Sequence, residues 1–168
     1  MSNIKNIAEF SLYTALAFIF SYIESLIPFP VPFPGMKLGL ANLVIVIILY
    51  KKNFRYAFGL SMLRNVLNAL TFGNLFALLY SLAGSILSLV FMSLAKKVRL
   101  KIMHFSIISV SALGGIFHNI GQFLTAAFLV GLHSVLWYLP ILYFSGLVTG
   151  ILIGYLSMHI LRRIPDKI

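Results

Sequence analysis

The sequence predicts an all-α integral membrane protein: one transmembrane domain over residues 1–168, built as a bundle of six transmembrane helices. Three observations predict it. Of the residues 61% are hydrophobic and only 10% charged, against about a quarter charged in soluble domains, and the mean hydropathy is +1.02. Apolar runs approaching the ~20 residues needed to cross a bilayer recur along the chain. The basic residues gather in alternate connections between those runs. Nothing is left over for a second, soluble domain.

The first run, Ile7 to Ile27, follows Lys5 as a signal peptide would, but the small residues Ala15 and Ala17 lie inside it instead of after it, so it reads as an uncleaved helix. The stretch from Pro28 to Lys37 places Pro28, Pro30, Pro32 and Pro34 in alternation, which denies a helix and favours an extended path. Irregular backbone at membrane depth is tolerated only where it is buried in protein or lines a cavity, so residues 28–37 are expected to form an extracytoplasmic loop capping a site. Runs two and three, Leu38 to Tyr50 and Ala57 to Phe72, give only ~20 and ~24 Å of helix against a hydrocarbon core of ~30 Å. The remaining runs are Leu75 to Ala95, Phe105 to Leu132 and Pro140 to Leu161. Gly146, Gly150 and Gly154 make a double GxxxG ridge on the last, and Ser81, Gly84, Ser85 and Ser88 a small-residue face on the fourth; such faces mark close helix packing.

Charge sets the topology. Lys5 precedes the first run; Lys51, Lys52 and Arg55 follow the second; Lys96, Lys97, Arg99 and Lys101 follow the fourth; Arg162, Arg163 and Lys167 follow the sixth. Only Lys37, on the other side, and Arg64, within a run, stand apart. The positive-inside rule then puts both termini in the cytoplasm of a multi-pass cell-membrane protein. The net charge of +10 is thereby accounted for by topology and by anionic lipid headgroups, with no nucleic-acid partner.

Two helices carry polar faces. Arg64, Asn68 and Thr71 recur at i, i+4 and i+7 with Asn65 beside them; Gly114, His118 and Gln122 recur at i, i+4 and i+8 with Asn119 adjacent. An arginine at the bilayer centre costs about 2.5 to 3.5 kcal/mol on insertion scales and needs a partner; Glu24, near the outer end of the first helix, is the candidate. Lys37 and Asn42 stand at the outer start of the second. These residues can converge on a chamber in the outer half of the bundle, rich in donors and suited to an anionic or carbonyl-rich ligand such as a phosphate, carboxylate, flavin or quinone-like ring. The competing reading is structural, with Arg64 paired to Glu24 and the amides bonding neighbouring helices.

The exclusions are sharp. Cysteine is absent, and no GxxxxGK[ST] loop is present, so ATP binding by that route is excluded and any active transport needs a partner. Glu9, Glu24 and Asp166 are far apart in sequence, with no paired-acid site for Mg²⁺, no HExxH zinc pair and no nucleophile elbow. No cofactor is implied, and the chain is expected not to be an enzyme.

Three stretches carry a resemblance: Pro34 to Val44 (PGMKLGLANLV), Arg64 to Gly73 (RNVLNALTFG) and Gly114 to Gln122 (GGIFHNIGQ). Together they resemble the Gx transporter family, whose members often carry the name heptaprenyl diphosphate synthase component I. That family is similar in turn to the substrate-binding S components of energy-coupling factor transporters. The resemblance implies six helices, a pocket opening outward beneath the loop after helix 1, and docking onto a coupling transmembrane protein driven by two ATPase subunits. S components commonly dock through small residues on helix 1, here Ser11 and Ala15. It also implies a cargo related to flavin or to a quinone or prenyl precursor. Prenyl diphosphate synthases use aspartate-rich motifs, whereas this chain has a single aspartate. The expected function is therefore capture of a small polar or anionic molecule from the outer side, with Arg64, Asn65, Asn68, Thr71, His118, Asn119 and Gln122 as ligand contacts, Lys37 and Asn42 at the mouth, and Glu24 holding Arg64. The alternative is an accessory membrane subunit of a prenyl-quinone or electron-transfer system, without transport.

Overall fold

The computed structural model describes residues 2–27, 39–98 and 106–164, and among these every regular element is helical. The order is α1 (Ser2–Leu26), α2 (Leu40–Lys51), α3 (Phe54–Thr71), α4 (Leu75–Lys97), α5 (Ile107–Val130), the single turn α6 (Leu132–Val135), a 3₁₀ turn (Leu136–Tyr138) and α7 (Leu139–Arg163). Four stretches are long and apolar enough to cross a membrane: Ile4–Leu26, Leu75–Lys97, Ile107–Val130 and Leu132–Arg163. The Pro-rich loop expected over 28–37, with Lys37, lies outside the described residues.

Local chemistry fixes the helix starts. Asn53, Asn74 and Ser106 sit in extended backbone and accept a hydrogen bond from the N–H three residues on, at 2.9, 2.8 and 3.1 Å, the geometry of an N-cap. The last apolar run begins differently from expectation. Gly131, at φ 89°, ends α5, and the chain re-enters helix almost at once through α6 and the 3₁₀ turn before Pro140 takes up an early helical position.

The shortness of α2 is explained by its position. Leu43, Val44, Ile45, Val46, Ile48 and Leu49 are all buried, so the helix is apolar on every side, as a helix enclosed by others must be. It packs against α1, α3 and α7. Lysines tie its C-terminal end to its neighbours: Lys96 Nζ donates to Leu49 O of α2 at 2.6 Å, and Lys51 Nζ of α2 donates to Ile164 O, at the end of α7, at 3.2 Å. Lys52 bonds Glu9 of α1 at 2.6 Å, and this hydrogen bond holds the Lys52 ammonium above its ordinary pKa. The basic residues thus tie the start of α1 and the ends of α2, α4 and α7 into one end of the bundle.

The α4–α5–α7 layer is held by small residues, as the glycine spacing predicts. Gly115 and Gly146 face each other so closely that a side chain on either meets the other's carbonyl. A methyl on Gly150 would stand 2.7 Å from Ser111 O, and one on Gly121 2.6 Å from Ala83 O. On the far side of the α4–α5 contact the Phe91 and Phe117 rings stack at 3.4 Å.

Gly150→Val drives its side chain into α5 backbone, and overpacking of this kind costs about 1–3 kcal/mol; a lowered thermal midpoint in detergent is the expected result. Gly59→Ala is the control, because its methyl would make only ordinary contact with Phe10, at 3.6 Å, and helix propensity favours alanine. Its midpoint should hold or rise.

Candidate functional site

At the end of the bundle opposite the basic cluster the helices part around a cavity of about 300 Å³. Its walls come from the ends of α1 and α2 (Ser21, Glu24, Gly39, Asn42), the second half of α3 (Arg64, Asn65, Asn68), the first turns of α4 (Asn74, Phe76, Ala77, Tyr80, Ser81) and the middle of α5 (His118, Gln122). The two polar faces read from the sequence therefore do meet in space.

Arg64 is only 6% exposed, and it is oriented by a short chain of hydrogen bonds. Its Nη2 donates to Asn65 Oδ1 at 2.7 Å. Asn65 is itself fixed, since its Nδ2 donates to Ser85 Oγ at 2.9 Å and to Ser81 O at 3.2 Å on α4. The guanidinium is thus aimed by α4 through an amide on its own helix, while its Nε is buried with no partner among the described residues. Asn68 Oδ1 and Gln122 Oε1 share that condition. Gln122 Nε2 lies 3.2 Å from His118 Nε2, and the His118 ring packs against Gly84, where a methyl would come within 3.0 Å of it.

Glu24 lines the same cavity, but its closest described contact is not Arg64. Its Oε1 accepts the Gly39 N–H at 2.6 Å, and no Arg64–Glu24 ion pair closes within 4.0 Å. Gly39, at φ 76°, is the N-cap of α2 and has no side chain to cap it. The carboxylate of α1 supplies that cap, while the hydrogen bond that orients the Arg64 guanidinium is made to Asn65.

Two expected contacts point elsewhere. Thr71 is exposed and donates back to Leu67 O at 2.8 Å within its own helix, because one turn past Asn68 it has run beyond the cavity wall. Asn119 turns to the other side of α5 and donates to Leu142 O on α7 at 2.7 Å, which makes it a stitch between helices. Asn42 lines the cavity, and Ser11 and Ala15 are exposed on the outer face of α1. The α4 wall was not foreseen: Ser81 was read as a packing residue and Asn74, which caps α4, was not singled out, and both line the cavity. The spacing of Asn74, Ala77 and Ser81 was the available signal.

Long apolar helices around an interior polar chamber define a multi-pass membrane protein. Its family follows from sequence comparison: residues 13–160 match the model of the family heptaprenyl diphosphate synthase component I, and the chain belongs to that family. No curated protein and no solved structure matches it.

Asn119→Ala removes one interhelical hydrogen bond, so it should lower stability by about 1 kcal/mol and leave ligand affinity in the chamber unchanged; Thr71→Val should alter neither. Thermal unfolding and ligand titration of the same preparations separate the two effects.

Proposed function

We propose that the protein is the substrate-binding membrane subunit of a small-molecule transporter, of the energy-coupling factor S-component type. In this reading six helices, α1 to α5 and α7, cross the cell membrane with both termini cytoplasmic, and the chamber opens to the outer side. The observation that carries it is the donor-rich cavity of about 300 Å³ at the end of the bundle opposite the lysines and arginines. Cations prefer the cytoplasmic side, so the cavity faces outward. A volume of this size is within the range of small-molecule pockets.

The ligand is polar, anionic or carbonyl-rich, in the chemical range of a flavin or a quinone or prenyl precursor. Arg64 receives its oxygen, with Asn68, His118, Gln122 and Asn42 around it. The chain does no chemistry on this ligand; energy comes from ATPase subunits acting through a coupling transmembrane protein, which docks on the exposed small residues Ser11 and Ala15 of α1. The family name favours a second reading, a membrane component of a heptaprenyl diphosphate synthase assembly serving quinone synthesis without transport.

Gentle purification from its own host, with identification of the proteins that accompany it, separates the two. Two ATPases and a coupling membrane protein are expected; a prenyl diphosphate synthase subunit in their place decides for the second reading. Arg64→Ala should abolish ligand binding in a folded, inserted protein, and unchanged affinity would overturn the chamber assignment. The chain has no cysteine of its own, so single cysteines introduced at Asn74 and at Lys97 report topology directly. An impermeant maleimide should label the first from outside the cell and the second only after the membrane is opened.

A further inference from the structure

Residues lining the chamber include buried polar atoms with no hydrogen-bond partner among the described residues, among them Arg64 Nε, Asn68 Oδ1 and Gln122 Oε1. Native interiors pair such groups almost without exception, because each one left unpaired costs about 1–3 kcal/mol. Their chemistry therefore describes what belongs between them. An anion alone answers only the arginine. It brings acceptors, whereas Asn68 Oδ1 and Gln122 Oε1 are themselves acceptors and require an N–H or O–H from the ligand.

We infer that the chamber takes a flat heterocycle with a lactam or cyclic imide edge, –CO–NH–, as in a pyrimidinedione ring, in preference to a quinone or a simple anion. This rests on the chamber being the ligand site proposed above. A primary amide presents a donor and an acceptor side by side, and a lactam edge presents the complementary pair, so the match holds whichever way the Asn68 and Gln122 amides are turned. Gln122, 5% exposed, spends one end of its amide on His118 Nε2 at 3.2 Å and keeps the other for the ligand. Arg64 is held by the Asn65 bond at 2.7 Å and directs a donor at a ring carbonyl. Phe76 and Tyr80 on the α4 wall add apolar surface for the body of the ring. With the amides turned as in the structure, a quinone of the same shape, which carries two carbonyls and no N–H, satisfies Arg64 and strands both amide oxygens, the situation in which a hydrogen-bonding site rejects an analogue most strongly.

The test uses the purified full chain in nanodiscs and three probes: lumichrome, which has the imide edge and is fluorescent; its N3-methyl derivative; and menadione. Inorganic phosphate serves as the anion competitor. Lumichrome should bind, N3-methylation should weaken it at least tenfold, and neither menadione nor phosphate should displace it. Asn68→Leu and Gln122→Leu should each weaken lumichrome at least tenfold, and the methylated probe on the unaltered protein keeps the test decisive if either variant fails to fold. Equal binding of the methylated probe, or tighter binding of menadione or phosphate, overturns the inference while leaving a ligand chamber in place. If no probe binds, the inference fails; if protein taken from native membranes also carries no small molecule by mass spectrometry, the transporter reading fails with it.

Discussion

The architecture turns on one constraint: an arginine has to be kept inside an apolar bundle. A buried guanidinium is tolerable only if its hydrogen bonds are met by protein groups or by something those groups enclose. Arg64 is met by Asn65, and Asn65 by Ser81 and Ser85 of α4. That chain fixes the rotation of α3 and joins α3 to α4 at the height of the cavity. It also leaves the guanidinium incompletely satisfied, with Nε buried and without a partner among the described residues.

Room for the chamber comes from how tightly the rest of the bundle closes. Glycines at 115, 146 and 150 bring α5 and α7 nearly to backbone contact, and Gly84 with Gly121 does the same for α4 and α5. In lipid, where apolar surface gains little by being hidden from water, such close packing is a main source of helix association. The consequence is an asymmetric molecule: α7 is drawn against one side of α5, while the other side, with His118 and Gln122, opens toward α3 and α1. Asn119, a neighbour of His118 in sequence, falls on the closed side for that reason, and no described residue of α7 lines the cavity.

Much of this was legible in the sequence. The helices lie within a few residues of the apolar runs because apolar length and basic flanks dictate them, and the glycine ridges packed where their spacing put them. The convergence of Arg64, Asn68, His118 and Gln122 followed from period alone. What could not be read was direction at single-residue resolution. Asn65 and Asn119 are both asparagines adjacent to a polar stripe, yet one turns to α4 and the other to α7, because the helix that happens to be near decides which carbonyl or hydroxyl each amide reaches. The α4 wall was hidden because packing already accounted for Ser81, and Asn74, at the very start of the helix, belongs to no polar stripe.

The charge balance of the chamber bears on its chemistry. The Gly39 amide that binds Glu24 lies at the positive end of α2, and α4 also begins at the cavity with its N-cap Asn74. A carboxylate at a helix N-terminus is stabilised by the aligned peptide dipoles, and this one bridges α1 and α2 at the base of the segment between them. With Glu24 already seated on the α2 terminus, the wall carries its own anion in the same cavity as Arg64. The site is thereby closer to electrically balanced than a count of its cationic and amide donors suggests. In the proposed reading, discrimination then falls to hydrogen-bond pattern more than to net charge.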